Sequence, residues 1–214
     1  MKKTVLVFLF LMAAVLSKAQ SCPDNNHPHA IDLGLPSGTK WACCNIGAKN
    51  PTDCGNYYAW AETEDKSVYS MKSYKLSGDG TKYGIKIRLR HLNWHEMKNN
   101  VAHVQWGNPW QMPTRGQFEE ILNNCNPKWT TIKGVSGMMF TGKNGNSIFL
   151  PAAGQHSAFS LYSKGVYGYY WSEEQIDNST HISKALYLYF YNNKGLVAEG
   201  DVSLGRTVRA IVNN

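Results

Sequence analysis

The chain has 214 residues, 43% of them hydrophobic, with 22 basic against 15 acidic side chains and a formal charge of +7. That length suits one domain with a substantial core. The positive charge gathers into no dense run beyond the short string KIRLR at residues 86–90, which argues against nucleic-acid binding.

Residues 1–19 combine Lys2 and Lys3, an apolar run over residues 4–16, and the small residues Ser17 and Ala19 before a cleavage point. This is the pattern of a secretory signal peptide, and the run is too short to span a bilayer. The chain is therefore expected to be exported, to the periplasm, the cell surface or the exterior. Cleavage would remove Lys2, Lys3 and Lys18, lowering the formal charge of +7 by three. Lipid anchoring at Cys22 is the rival reading, disfavoured because bulky, polar Gln20 makes AQSC a poor lipobox. No later segment is long and apolar enough to be read as a membrane span.

Residues 20–29 form a short N-terminal segment, and residues 30–214 read as a single α+β domain of short antiparallel strands, one or two helices and long loops. AIDLGL and TKWACCNI flank PSG, predicting an early hairpin, and NYYAWAET reads as a further strand. SGDGTKYG, within residues 67–100, reads as a surface turn, since it lacks the acidic positions and closing glutamate of a calcium loop. Thr114 with Gln117 three residues on is a capping-box pattern, with Phe118, Ile121 and Leu122 at helical spacing behind it. This helix should end near Asn124, before Pro127, with Glu119 and Glu120 facing water and Trp106 and Trp110 plugging the core beside it. GMMFTGKNGNSIFLP places an Asn-Gly turn between two β-rich runs. ALYLYFYNNKGLVAEG predicts a second hairpin turning over residues 192–195, and RTVRAIV a closing strand in which Arg209 makes a buried or half-buried ion pair.

Five cysteines follow the leader, Cys22, Cys43, Cys44, Cys54 and Cys125, and an odd number cannot all pair within one chain. A disulfide between Cys43 and Cys54 is expected across the loop NIGAKNPTD, while Cys44 would need Cys125 or remain buried and reduced. The histidines of HPH (His27, His29) and HLNWH (His91, His95) have metal-compatible spacing, but neither pair has a third or fourth ligand in a fixed register. No histidine sits in a nucleophile motif, so no catalytic residue, metal or cofactor is expected.

The informative run is ALYLYFY. At period two, Leu186, Leu188 and Phe190 fall on one face and Tyr187, Tyr189 and Tyr191 on the other. Seven of the 12 tyrosines lie within residues 162–191, so the enrichment is local. Tyrosine and asparagine are what adaptable binding surfaces use. Tyr187, Tyr189, Tyr191, Asn192 and Asn193, bordered by Tyr170 and Trp171 of GYYWS, are therefore the candidate ligand-binding residues.

DLGLPSGTKWACCNIGA, GNYYAWAET, WGNPWQMPT, NGNSIFLPAAG, GYYWS and GRTVRAI, in this order, resemble the Fibrobacter succinogenes major paralogous domain family of exported Gram-negative bacterial proteins. The resemblance implies a C-type-lectin-like fold in the variant shared with formylglycine-generating sulfatase-modifying enzymes. It implies that the N- and C-terminal strands pair, that ligands meet the C-terminal third, and that WQMPTRGQFEEIL is a landmark of the fold. The chain departs from the family at Gln111, where arginine is usual, at AGQHS, and at Ala61, where glycine is common. Before WGNPW it carries the basic, amide-rich string NWHEMKNNVAHVQ in place of an acidic run, which weakens any cation site carried over there. The copper-binding redox cysteines of the sulfatase-modifying enzymes lie near the C-terminus, whereas the last cysteine here is Cys125. The expectation is an exported, non-enzymatic domain binding a glycan or protein. The alternatives are an enzyme with an unrecognised site on the same scaffold, or a structural module of a surface assembly.

Overall fold

The structure is a computed structural model and describes residues 27–77, 97–176 and 184–214. The leader, Cys22, residues 86–90, His91, His95 and most of SGDGTKYG lie outside the described residues. Within them, eleven strands form four small antiparallel sheets, joined by two α-helices and one 3-10 turn, an α+β arrangement.

Strands β1 (Ala30–Asp32) and β2 (Lys40–Ala42) make the early hairpin, with Ala30 opposite Ala42. The PSG turn closes through a 2.9 Å bond from the Gly38 amide to the Leu35 carbonyl. The final strand, β11 (Ile211–Val212), pairs with β2, Ile211 opposite Trp41, so the two ends of the domain share a sheet.

NYYAWAET is not a regular strand, and RTVRAIV is one only over its last two residues. The two segments meet through single bonds: Tyr58 and Arg206 exchange amide-to-carbonyl bonds at 2.8 and 2.9 Å, and the Trp60 amide reaches the Val202 carbonyl at 2.8 Å. Ala61 then turns the chain at φ 62°, a left-handed conformation that ends any pleated run. The C-terminal segment changes partner at nearly every step, since Thr207 accepts from Trp171, Val208 from Ile46 and Ala210 from Ala42.

Helix α1 (Val101–Trp106) is capped by Asn100, whose side chain accepts from the His103 amide. Helix α2 (Arg115–Asn124) begins at Thr114 with the capping box formed in both directions, an arrangement worth about 1 kcal/mol. Phe118 and Ile121 are buried, as their spacing predicts. Glu119 pairs with Arg115, while Glu120 accepts from the Ser37 amide at 2.8 Å and hydroxyl at 2.7 Å, tying the helix to the early hairpin. Trp106 and Trp110 stack edge to face at 5.3 Å against the core.

Strands β3 (Asn126–Ile132), β4 (Val135–Thr141) and β5 (Ser147–Pro151) form a meander with Asn144 and Gly145 at its second turn. A short hairpin, β6 (Gln155–Ser157) with β7 (Ser160–Tyr162), leads into the last meander: β8 (Gly168–Gln175), β9 (Lys184–Tyr191) and β10 (Lys194–Asp201). That last sheet stands between two cores. Tyr170, Leu188 and Phe190 face one, with Trp41, Phe118 and Phe140. Trp171 and Ala185 face the other, with Trp60, Tyr74 and Val208, and Tyr187 packs at its edge.

Arg209 is fully buried, as expected of it, but its described partners are neutral. Nε donates to Asn45 Oδ1 at 2.8 Å, and the two Nη atoms donate to the carbonyls of Ala42 and Phe149 at 2.9 and 2.8 Å. It thereby stitches together the first sheet, β5 and the closing segment. Among the described residues no helix is long and apolar enough to cross a membrane.

Candidate functional site

Alternation holds over the second half of β9, where Leu188 and Phe190 are buried, Tyr187 and Tyr189 half-buried and Tyr191 exposed. At the start of the strand Leu186, expected in the core, is only half-buried, and Ala185 on the tyrosine side is buried. The register sets Tyr169 of β8 opposite Tyr189, and Tyr167 precedes the strand on the same side. Four phenols consequently form one contiguous array. Tyr167 lies 5.5 Å from Tyr189 and 5.6 Å from Tyr191, Tyr169 lies 5.4 Å from Tyr189, and Tyr189 lies 5.8 Å from Tyr191, centroid to centroid. Ring pairs at such spacings stabilise one another by about 0.5–1.5 kcal/mol each. Burial first, then the neighbouring phenols, push the Tyr189 hydroxyl up to about 12, keeping it a neutral donor at physiological pH. On β10, Leu196 sits opposite Tyr189 with 51% of its surface exposed, extending the array with an aliphatic patch.

The other end of this face is covered. Arg206 is buried, with its guanidinium carbon 3.6 Å from the Tyr187 ring centroid, 4.2 Å from that of Trp171 and 5.6 Å from that of Tyr169. Its Nε donates to Gln155 Oε1 at 2.9 Å, and Nη1 has no hydrogen-bond partner among the described residues. Burial pulls this guanidinium down to about 10, against the opposing influence of Tyr187, Tyr169 and Asp201. Gly200 leaves the room: a Cβ there would run into the guanidinium. The sequence reading singled out Arg209 and missed Arg206, whose one signal was the tyrosine excess that supplies a buried cation with ring faces.

Two expected site residues are therefore corrected. Tyr170 is fully buried on the opposite face, its hydroxyl donating to the Pro151 carbonyl at 2.7 Å and accepting from Asn45 at 3.2 Å. Trp171 shares the tyrosine face but lies beneath Arg206, fully buried, with its indole nitrogen donating to the Tyr58 carbonyl at 2.9 Å. Neither can touch a ligand at the surface. Tyr167 and Tyr169, not singled out from the sequence, take their place.

Asn192 and Asn193 form a two-residue turn with φ of 42° and 65°, tighter than expected and of the type that suits the twist of paired strands. Asn192 is exposed at the tip. The Asn193 side-chain oxygen accepts from the Trp129 amide, so this residue also ties the hairpin to β3. Behind the tip, Leu122, Pro127, Asn193, Leu196 and Val197 line a groove of about 690 Å³ between α2 and β10.

No disulfide joins Cys43 to Cys54. The hairpin register turns the Cys43 sulfur toward the N-terminal segment, where His27 Nδ1 lies 3.1 Å and His29 Nδ1 3.6 Å away. A hydrogen bond with Cys44, then bonds from the His29 amide and the two imidazoles, hold the Cys43 thiol down at about 3 against the opposing effect of burial. Cys54 lies instead beside Tyr57, and burial raises its thiol. Cys125 is buried at the end of α2, its thiol pushed up to about 11 by desolvation. Of the groups in the described residues that hold a metal-compatible geometry, His27, Cys43 and Cys44 come together; the sequence pattern HPH hid this because its other ligands lie across a hairpin.

Compared with protein-family models, curated proteins and solved structures, the chain matches none.

Proposed function

We propose that the chain is an exported, non-enzymatic recognition domain of the Fibrobacter succinogenes major paralogous family, C-type-lectin-like in fold, binding a glycan or protein through its tyrosine face. The observation that carries this reading is the open half of the last sheet. There Tyr167, Tyr169, Tyr189 and Tyr191 lie within 5.4–6.2 Å of their neighbours, with Tyr191 and Leu196 exposed. Stiff rings already packed together lose little entropy on binding, while their hydroxyls and the Asn192 amide supply polar contacts. The shared terminal sheet and the capped helix at Thr114 support the family reading.

A second reading is a module of a surface assembly in which this face meets another subunit. Phe159, 78% exposed, Tyr162 and Val166 favour it by adding apolar surface just before the array. Size-exclusion chromatography separates the two, since the recognition domain runs as a monomer.

The test is a glycan array run beside pull-down from envelope extracts. The native chain should retain a specific ligand, and the Tyr189→Ser/Tyr191→Ser variant, folded by circular dichroism, should lose it. Equal retention by both chains overturns the proposal. Tyr187 is left intact because it packs against Arg206 and the core.

A further inference from the structure

We propose that His27, Cys43 and Cys44 bind one thiophilic d10 metal ion of the zinc(II) type, independently of the tyrosine face. The site follows from the early hairpin. With Ala30 opposite Ala42, one further step sets His29 opposite Cys43, and the Cys43 amide donates to the His29 carbonyl at 2.9 Å. His27 and His29 lie with ring centroids 5.3 Å apart, and both present Nδ1 to the Cys43 sulfur, at 3.1 and 3.6 Å.

Adjacent residues of a continuing strand would send their side chains to opposite faces. Here β2 ends at Ala42 and the chain bends at Cys43 and Cys44, which lets the two thiols meet. The ligand atoms of His27, Cys43 and Cys44 all lie within 4.8 Å of one another. Tetrahedral zinc, with bonds of about 2.3 Å to sulfur and about 2.0 Å to nitrogen, spaces its ligand atoms by roughly 3.4–3.8 Å. Shifts of about an ångström therefore close the cluster around an ion. Two sulfurs with an imidazole select zinc or copper(I) over magnesium or calcium. Both cysteines are fully buried, whereas His27 is half-buried, so the ion would enter from the histidine side. His29, with Nδ1 3.6 Å from Cys43, is placed to become a fourth ligand by ring rotation.

The experiment uses the full chain, reduced, stripped of metal and titrated anaerobically with cobalt(II) as a spectroscopic stand-in for zinc. One equivalent should bring up thiolate-to-cobalt charge transfer in the near ultraviolet and tetrahedral visible bands, and one equivalent of zinc(II) should abolish them. Cys54→Ser and Cys125→Ser should behave as the native chain does, and Cys43→Ser and Cys44→Ser should lose the charge-transfer band. His27→Ala removes a half-buried ring and spares the core, so it tests the site even if the buried serine variants fail to fold. It should weaken zinc binding at least about tenfold. Absent bands in the native chain, bands that survive Cys43→Ser, or unchanged affinity in His27→Ala would overturn the assignment. So would mass spectrometry locating Cys43 or Cys44 in a disulfide in the chain isolated without reductant.

Discussion

Replacing Arg206 by alanine or by methionine distinguishes what holds the covered end of the tyrosine face. Alanine removes a charge-assisted hydrogen bond to Gln155, worth about 1.5–3 kcal/mol, and a desolvated stack on Tyr187 and Trp171, worth about 2 kcal/mol. Set against this is the cost of burying the cation: a guanidinium drawn by burial down to about 10 corresponds to about 3 kcal/mol of relief when the charge goes. The void left among three rings adds about 1–3 kcal/mol of loss. The net for Arg206→Ala is destabilisation of about 1.5–5 kcal/mol, a fall of about 3–20 °C in Tm for a domain of this size. Methionine fills the void and carries no charge, so Arg206→Met should cost less than about 1 kcal/mol, as replacement of buried ions by apolar groups often does. Thermal unfolding at pH 7, followed by circular dichroism in the near and far ultraviolet, measures both. Equal Tm shifts for the two variants, or none for alanine, would refute the balance of terms.

Glu173 is held up to about 7 by burial and then by Glu174, so its stabilising contribution is complete below the usual carboxyl value of 4.5 and is lost as pH rises through 7. Glu173→Gln should flatten that slope and raise stability at pH 8 by about 2 kcal/mol, after allowance for solvent screening of a half-buried group; Tm values at pH 5 and pH 8 for both chains check it. Ala61 holds φ 62°, a left-handed conformation that favours glycine, so Ala61→Gly should be neutral or stabilising by up to about 1 kcal/mol, while Ala61→Val should lose more than that. Denaturant midpoints for the two variants decide between strain and tolerance at this turn.

What was legible in the sequence was local. The capping box at Thr114, the Asn-Gly turn at Asn144 and the alternation over the second half of ALYLYFY are each fixed by residues a few positions apart, and each stands as read. The misreadings share a different cause. NYYAWAET has strand composition, yet its partner is a C-terminal segment nearly 150 residues away that bonds to it residue by residue. Strand β3 carries little signal of its own and exists because β4 pairs with it. Placing Tyr170 and Trp171 together beside the array overlooked that adjacent strand residues face opposite ways, and no local signal told that Arg206 folds over the Trp171 end. The expected Cys43–Cys54 bridge rested on loop proximity, whereas the β1–β2 register commits Cys43 to the histidines.

The central claim is that the open half of the last sheet is where the ligand sits. The measurement that bears on it most directly is the affinity of the Tyr189→Ser/Tyr191→Ser variant for whichever ligand the array or the pull-down returns. Central aromatic contacts contribute about 2 kcal/mol or more each, so the account predicts a loss of at least about a hundredfold in a variant that stays folded at the assay temperature, although the loss of four ring pairs lowers its Tm. An affinity equal to that of the native chain, in a variant equally well folded, would contradict it.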